Sequence, residues 1–175
     1  GQSVNLPNTA AGLPVRIENA GGVRSLAVDL RYAPSLLTIT AAVLAAGLPG
    51  DWSVEPLDTS TPGVAKIRAS GTTPLSGTNG DIIRLTAAVP ADAPYGAIQA
   101  VRLENVALNG GAIAAVGDVA VHKAAYLGDA DGSGIHSSAD AFLVVQAALG
   151  LASGFSAHAW TDPLIVGDAD GSGVL

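Results

Sequence analysis

The sequence predicts a mainly β protein: a jelly-roll or β-sandwich domain of about nine strands, followed by a small α-helical module. Over residues 1–123, short apolar stretches alternate with polar residues, which is the period of half-buried strands. Charge divides the chain at nearly the same place. Residues 126–175 carry six acidic residues and no Lys or Arg, whereas the first 125 residues hold nine acidic and all eight basic residues. We therefore expect two modules, 1–123 and 124–175.

Composition excludes several functions. Hydrophobic residues make up 49% of the chain and charged residues 13%, which allows a sizeable core. No apolar run reaches the length of about 18 residues needed to cross a bilayer, so no membrane span is expected. No cluster of basic residues is available to neutralise phosphates, so a nucleic-acid partner is not expected.

The strands of the first module are marked by alternation and by turn residues. The stretch SLAVDLRY places Leu26, Val28 and Leu30 on one face, and NAGG, LPGD and STPG are typical of turns between strands. The run Leu36–Ala46 is compatible with a strand or a helix. Its β-branched residues favour a strand as far as Thr40.

This module contains no pattern typical of an active site, and we expect no enzyme activity. His122 is isolated in a strand pattern and is expected to be an ordinary strand residue. Trp52 is compatible with a sugar-stacking platform, but core packing is the favoured interpretation for one isolated Trp.

Residues 15–40, VRIENAGGVRSLAVDLRYAPSLLTIT, resemble the start of a cohesin domain. That family has an N-A-x-G-V turn between two strands and then Y-D-P-S-L-L, and this chain has Ala33 at the Asp position. The resemblance implies a nine-stranded jelly roll that binds dockerin domains through one sheet face.

The phrase GDADGSG occurs at residues 128–134 and again at 167–173. A twelve-residue calcium loop supplies oxygen ligands from positions 1, 3, 5, 7, 9 and 12, with Gly at position 6. In the first copy Gly134 takes position 6, and the ligand positions hold Asp129, Asp131, Ser133, Ile135 through its carbonyl, Ser137 and Asp140. The spacing therefore predicts a Ca²⁺ site, although Asp140 stands where the strict motif has Glu.

A helix is predicted after this loop. Ser137 or Ser138 is suited to capping its start and Gly150 to ending it. Phe142, Leu143, Gln146 and Leu149 follow helical spacing, and Val145 extends this apolar side. The Ile135 side chain is expected to point inward. We expect His136 at the surface, and His158 and Trp160 to pack rather than bind metal.

Two calcium loop–helix units in tandem resemble a type I dockerin. The resemblance implies a second site at Asp168, Asp170, Ser172 and Val174, and a cohesin-contacting face at Ser138, Ala139, Val145 and Gln146. The second repeat lacks its position 12 and its helix, so we expect the chain to be a fragment or a processed form.

These features favour a non-catalytic extracellular or cell-surface assembly protein. Its partners would be cohesin or dockerin modules in the same chain, another copy or another protein, and it would act as a scaffold or adaptor. The alternative is a carbohydrate-binding module with a dockerin, from a polysaccharide-degrading enzyme.

Overall fold

The computed structural model describes residues 12–77, 79–170 and 172–175. Within them, eight strands form two sheets: β1 (Leu13–Glu18), β2 (Ser25–Arg31), β3 (Thr38–Leu44), β4 (Ser53–Val54), β5 (Val64–Ser70), β6 (Asn79–Ala88), β7 (Ile98–Leu108) and β8 (Val119–Lys123). One sheet has the order β1-β6-β3, and the other β4-β5-β2-β7-β8. A mainly β sandwich is thus confirmed, with eight strands in these residues rather than about nine. The first eleven residues of the predicted module lie outside the described ranges.

The core lies between the two sheets. Strand β2 is antiparallel to β5, and it sets Leu26, Val28 and Leu30 opposite small or branched partners. These three side chains are buried, as their alternation predicts, while Ile83 and Leu85 of β6 bury their side chains from the other sheet. Side chains of one face from each sheet therefore share a single core, which is the arrangement of a β-sandwich.

The ambiguous apolar run forms a strand. Strand β3 runs from Thr38 to Leu44, past the predicted end at Thr40, and pairs antiparallel with β6. The register shifts between Ile39 and Ala41, so a bulge absorbs the change in alternation there. Pairing with a long neighbour extends the strand through alanines that have little β-propensity of their own.

Trp52 belongs to the core. Its side chain is only 5% exposed, and its indole Nε1–H donates to the Thr73 carbonyl oxygen at 2.8 Å. The ring packs closely over Gly71, where a Cβ atom would lie 2.3 Å from Trp52 Cδ1. Core packing of Trp52 is therefore confirmed, and the ring is not available to stack on a sugar.

Apart from a 3₁₀ turn at Asn109–Gly111, between β7 and β8, the helical elements of the described residues lie in the C-terminal part of the chain. They are α1 (Ser138–Ala148), a 3₁₀ turn (Ser156–His158) and the short helix α2 (Pro163–Gly167). Ala130, Phe155 and Val166 form a small buried cluster, against which Leu143, Val144 and Ala147 of α1 pack. This cluster is separate from the core of the sandwich.

The described chain divides into two compact units. One comprises residues 12–92 and 99–122, and the other comprises 93–98 together with 123–175. The second unit, called the acidic unit below, therefore includes a short segment from the connection between β6 and β7. The predicted boundary at residue 123 remains a prediction, and the segment 93–98 was not anticipated in the acidic unit.

Candidate metal centre

Three carboxylates converge where the acidic loop meets the first turn of α1. Asp129, Asp131 and Asp140 each place a carboxylate oxygen within 4.8 Å of the other two. Asp129 and Asp140 are buried, whereas Asp131 is exposed. The convergence brings together predicted positions 1, 3 and 12 of the calcium loop.

Backbone amides orient two of these carboxylates. The Ser133 N–H lies 3.1 Å from Asp129 Oδ1 and 2.9 Å from Asp131 Oδ1, and the Gly134 N–H donates to Asp129 Oδ2 at 2.7 Å. The Ser133 hydroxyl donates to the Ile135 carbonyl oxygen at 3.1 Å. Hydrogen bonds thus connect the residues at positions 1, 3, 5 and 7 of the loop. The tight turn of the backbone needs a positive φ at Gly134, of 83°, which glycine adopts without a steric penalty.

Asp140 joins the loop to the start of α1. Its Oδ2 accepts from the Ser137 N–H at 2.7 Å, and the Ser137 hydroxyl accepts from the Ala139 N–H at 3.1 Å. The Ser137 side chain also accepts from the Asp140 N–H, which completes a capping box with the bond from the Ser137 N–H to Asp140. Asp140 Oδ1 accepts from the Asp131 N–H at 3.1 Å, and this bond, followed by those from Ser137, lowers the pKa of Asp140 to about 2 against the opposing effect of burial.

Asp129 also has partners from distant parts of the sequence. The Tyr95 hydroxyl donates to Asp129 Oδ2, and His158 Nε2 lies 2.8 Å from the Asp129 carbonyl oxygen. Burial raises the pKa of Asp129, but hydrogen bonds from Tyr95 and Gly134 outweigh it and the net shift is downward. Burial and the adjacent Asp129 raise the pKa of Tyr95. These pKa shifts keep the Asp129 carboxyl ionised and the Tyr95 hydroxyl protonated, so the hydroxyl donates to an anion.

The donor set suits a hard cation. Carboxylate, hydroxyl and carbonyl oxygens at Asp129, Asp131, Asp140, Ser133 and Ile135 are the ligand types that Ca²⁺ prefers. The sequence from residue 126 onward supplies no Lys or Arg to neutralise the three carboxylates. The residues present therefore fit calcium in both chemistry and charge.

The second loop repeats the hydrogen bonds of the first. The Ser172 N–H donates to Asp168 Oδ1 at 2.9 Å and to Asp170 Oδ1 at 3.0 Å, and the Gly173 N–H donates to Asp168 Oδ2 at 2.7 Å. The Ser172 hydroxyl lies 3.3 Å from the Val174 carbonyl oxygen. Gly171 lies outside the described residues. Positions 1, 3, 5 and 7 thus follow the same local pattern in both copies.

Several side-chain placements differ from the prediction. Of the residues predicted for the apolar side of α1, Leu143 packs against the buried cluster, whereas Phe142, Val145 and Leu149 are 62%, 52% and 68% exposed. The buried side is one step round the helix, at Leu143, Val144 and Ala147. Alanine and valine occur all round α1, so periodicity alone does not separate its packed side from its exposed apolar side.

Other predictions concern single residues. The Ile135 side chain is exposed rather than inward, while its backbone oxygen accepts from the Ser133 hydroxyl. Trp160 is 82% exposed, so it does not pack as expected. His158 is buried, and His136 is exposed, both as predicted.

The predicted partner face is largely at the surface. Ser138, Ala139 and Val145 are exposed and Gln146 is half-buried. Ser138, Phe142, Val145 and Leu149 follow helical spacing along one side of α1. We call these four residues the α1 stripe.

Two of the partners of Asp129 were missed by sequence reasoning. Tyr95 precedes Asp129 by 34 residues and His158 follows it by 29. Neither separation in sequence belongs to a local motif, so no spacing rule could have found these two residues.

Among the helices that the structure describes, none has the length and hydropathy of a membrane span.

Comparison with known proteins identifies the sandwich. Solved structures with partial similarity include a cohesin module from a family 33 glycoside hydrolase of Clostridium perfringens, at 10% identity and a TM-score of 0.43, covering 60% of this chain and 73% of that chain. Another is a chain of a CaDoc0917–CaCohA2 complex, at 19% identity and a TM-score of 0.41, covering 55% and 77%. No curated protein sequence matched. The cohesin domain family model matches residues 3–125, and the chain therefore belongs to the cohesin domain family.

Proposed function

We propose that this protein is a non-catalytic assembly protein in which a cohesin module is joined to a calcium-dependent, dockerin-like module. Cohesin domains are interaction modules whose partners are dockerins. The observation that carries the proposal is the repetition of one hydrogen-bonded acidic loop at residues 129–135 and 168–174. A pair of such loops on the same chain as a cohesin provides both halves of an interaction between copies.

Calcium has a defined role in this proposal. Asp129, Asp131 and Asp140 bring three carboxylates within 4.8 Å of one another, and their mutual repulsion opposes folding of the loop. A divalent cation bound there neutralises the charge. Because the loop is continuous with α1 through the Ser137–Asp140 capping box, binding of the ion and ordering of the helix are coupled.

The α1 stripe is the proposed contact for a partner. Phe142, Val145 and Leu149 give it an apolar centre, and Ala139 and Gln146 flank it. A row of exposed apolar side chains at helical spacing is typical of a helix that packs on a partner surface. We propose that the partner is the cohesin module of another copy or of another protein.

The proposed setting is extracellular or at a cell surface. Extracellular modules use calcium sites of low affinity, because the ion is abundant there. An adaptor or scaffold role is proposed because one chain carries a cohesin module and the two acidic loops. Polysaccharide binding by the sandwich is not proposed, because its candidate ring, Trp52, is buried.

Light scattering over a range of protein concentrations tests the proposal. We expect the solution mass to rise with concentration in calcium and to remain that of a monomer in chelator. Val145→Asp should abolish the rise, because it places a charge in the centre of the α1 stripe. Trp160→Asp is the control, since Trp160 is also exposed and belongs to the acidic unit but lies outside α1 and outside the cohesin module. A monomer at every concentration in calcium would contradict association between copies.

A further inference from the structure

We propose that Tyr95 is a positioning residue for the metal centre, which fixes the carboxylate of Asp129 in the orientation that binds the ion. This inference rests on the calcium binding proposed above. It assigns a role at the site to a residue outside the twelve-residue loop, contributed by the segment between β6 and β7.

The hydrogen bonds of Asp129 are distributed unequally between its two oxygens. Oδ2 accepts from the Tyr95 hydroxyl and from the Gly134 N–H, whereas Oδ1 accepts from the Ser133 N–H, at 3.1 Å. Two donors therefore occupy Oδ2, and Oδ1 is the less saturated oxygen. Tyr95 thereby favours coordination of a cation through Oδ1.

The ring of Tyr95 is held in place by its surroundings. Its centroid lies 4.9 Å from that of Tyr126, with the planes tilted by 33°, which is a favourable distance for an aromatic pair. A Cβ atom built on Gly134 would lie 3.8 Å from the Tyr95 ring, so the ring also covers position 6 of the loop.

The backbone beside Tyr95 is anchored within the acidic unit. The Gly96 N–H donates to the Ala124 carbonyl oxygen at 2.8 Å, and the Ala124 N–H donates to the Ala97 carbonyl oxygen at 2.9 Å. These bonds fix the segment that carries Tyr95 relative to the residues just before the loop. The backbone that carries the Tyr95 side chain is therefore fixed by hydrogen bonds, and this fixes the position of the hydroxyl beside Asp129.

A donor in this position affects metal affinity through orientation. Asp129 is fully buried, and a carboxylate that is free to rotate must lose that freedom when the ion binds. Residues that hydrogen-bond to a ligand, and so orient it, commonly change metal affinity by about 10- to 100-fold when removed. Tyr95 is only half-buried, so we expect an effect at the lower end of that range.

Calorimetric titration of the full chain with Ca²⁺ tests the inference. Each protein carries Asp168→Asn, so that heat from the second loop is suppressed. Tyr95→Phe removes the hydroxyl and keeps the ring, and we expect the affinity of the first loop to fall by about tenfold. Tyr126→Phe is the matched control, because no hydrogen bond of its hydroxyl is seen among the described residues. Its affinity should change less than about twofold.

A second measurement separates positioning from general stability. The thermal midpoint of each protein is recorded in chelator, and the titration is carried out well below it. A merely structural role would lower the midpoint of Tyr95→Phe and leave its calcium affinity unchanged, which would overturn the inference. Equal affinities for all three proteins would also overturn it, while leaving the proposed calcium site intact. Failure of the parent protein with intact tyrosines to bind calcium would overturn both.

Discussion

Gly134 and Gly173 occupy the same place in the two acidic loops and have the same backbone conformation, with φ of 83° and 84°. In both copies the glycine N–H donates to the first aspartate of the loop at 2.7 Å. The left-handed conformation turns this N–H toward the carboxylate, and a side chain there would carry a steric penalty.

Gly134→Ala should therefore weaken calcium binding at the first loop and destabilise the acidic unit by about 1–2 kcal/mol, the cost of a side chain in the left-handed conformation. Calorimetry and thermal unfolding in chelator measure the two effects. Gly150→Ala is the matched control, because Gly150 also has a positive φ, of 69°, and ends α1 outside the loop. It should carry a similar stability cost without loss of calcium affinity. Equal loss of affinity in both variants would contradict the assignment of Gly134.

Asp131→Asn should change calcium affinity and stability in opposite directions. Asp131 is the exposed member of the three converging carboxylates, so its charge repels Asp129 and Asp140 when no ion is bound. The variant should bind calcium about tenfold or more weakly, because site charge tunes affinity. In chelator it should unfold at a higher temperature than the native protein. Asp92→Asn, an exposed change outside the loop, should do neither. A lower midpoint in chelator would show that repulsion is not the dominant effect.

Gly71→Ala should destabilise the sandwich by about 1–3 kcal/mol, as overpacked cores usually are. The added methyl group would lie 2.3 Å from Trp52 Cδ1, which forces the ring away from Thr73 and its hydrogen bond. Urea unfolding followed by tryptophan fluorescence measures the loss. Gly50→Ala is the control, because nothing lies within 4 Å of a Cβ atom at that position. Equal stability of the two variants would contradict the close packing over Gly71.

Asp51 should make the sandwich sensitive to acid. Its Oδ2 accepts from the Thr72 hydroxyl and from the N–H groups of Thr72 and Thr73. The Thr72 hydroxyl, then the Thr73 N–H, holds the pKa of Asp51 well below its usual range. A depressed pKa in the folded state gives stability that is present above the unfolded value, about pH 4, and is lost as the pH falls below it.

Asp51→Asn removes that dependence. Between about pH 5 and pH 3, the unfolding free energy of the native protein should fall more steeply than that of the variant. The difference should be modest, since Asp51 is exposed and solvent screens its interactions. Urea unfolding at each pH, followed by the fluorescence of the adjacent Trp52, measures both slopes. Parallel slopes would show that Asp51 does not contribute to the acid response.

Local patterns predicted most of the sandwich and the path of the first loop. Alternation placed Leu26, Val28 and Leu30 in the core, because strand period and burial coincide on a sheet with one covered face. Spacing placed Asp129, Asp131 and Asp140 together, because a twelve-residue loop has a fixed geometry. The predicted ligand roles and the partner face remain predictions.

The predictions failed where the outcome depends on contacts between residues that are distant in the sequence. The buried face of α1 depends on where Phe155 and Val166 lie, and the sequence of the helix alone offers apolar residues on more than one side. Tyr95 reaches Asp129 only because the segment 93–98 folds with the acidic unit. No local rule connects residues so far apart.

The participation of Tyr95 also limits how this protein can be divided for experiment or recombination. A recombinant fragment that starts at residue 124 keeps every residue of both acidic loops but omits the segment 93–98. A graft of that fragment onto another scaffold would therefore transfer the loop without the hydroxyl that meets Asp129. The residues of the proposed metal site are therefore discontinuous in sequence. Tyr95 lies between β6 and β7, two strands of the sandwich, and is absent from any fragment that begins after them.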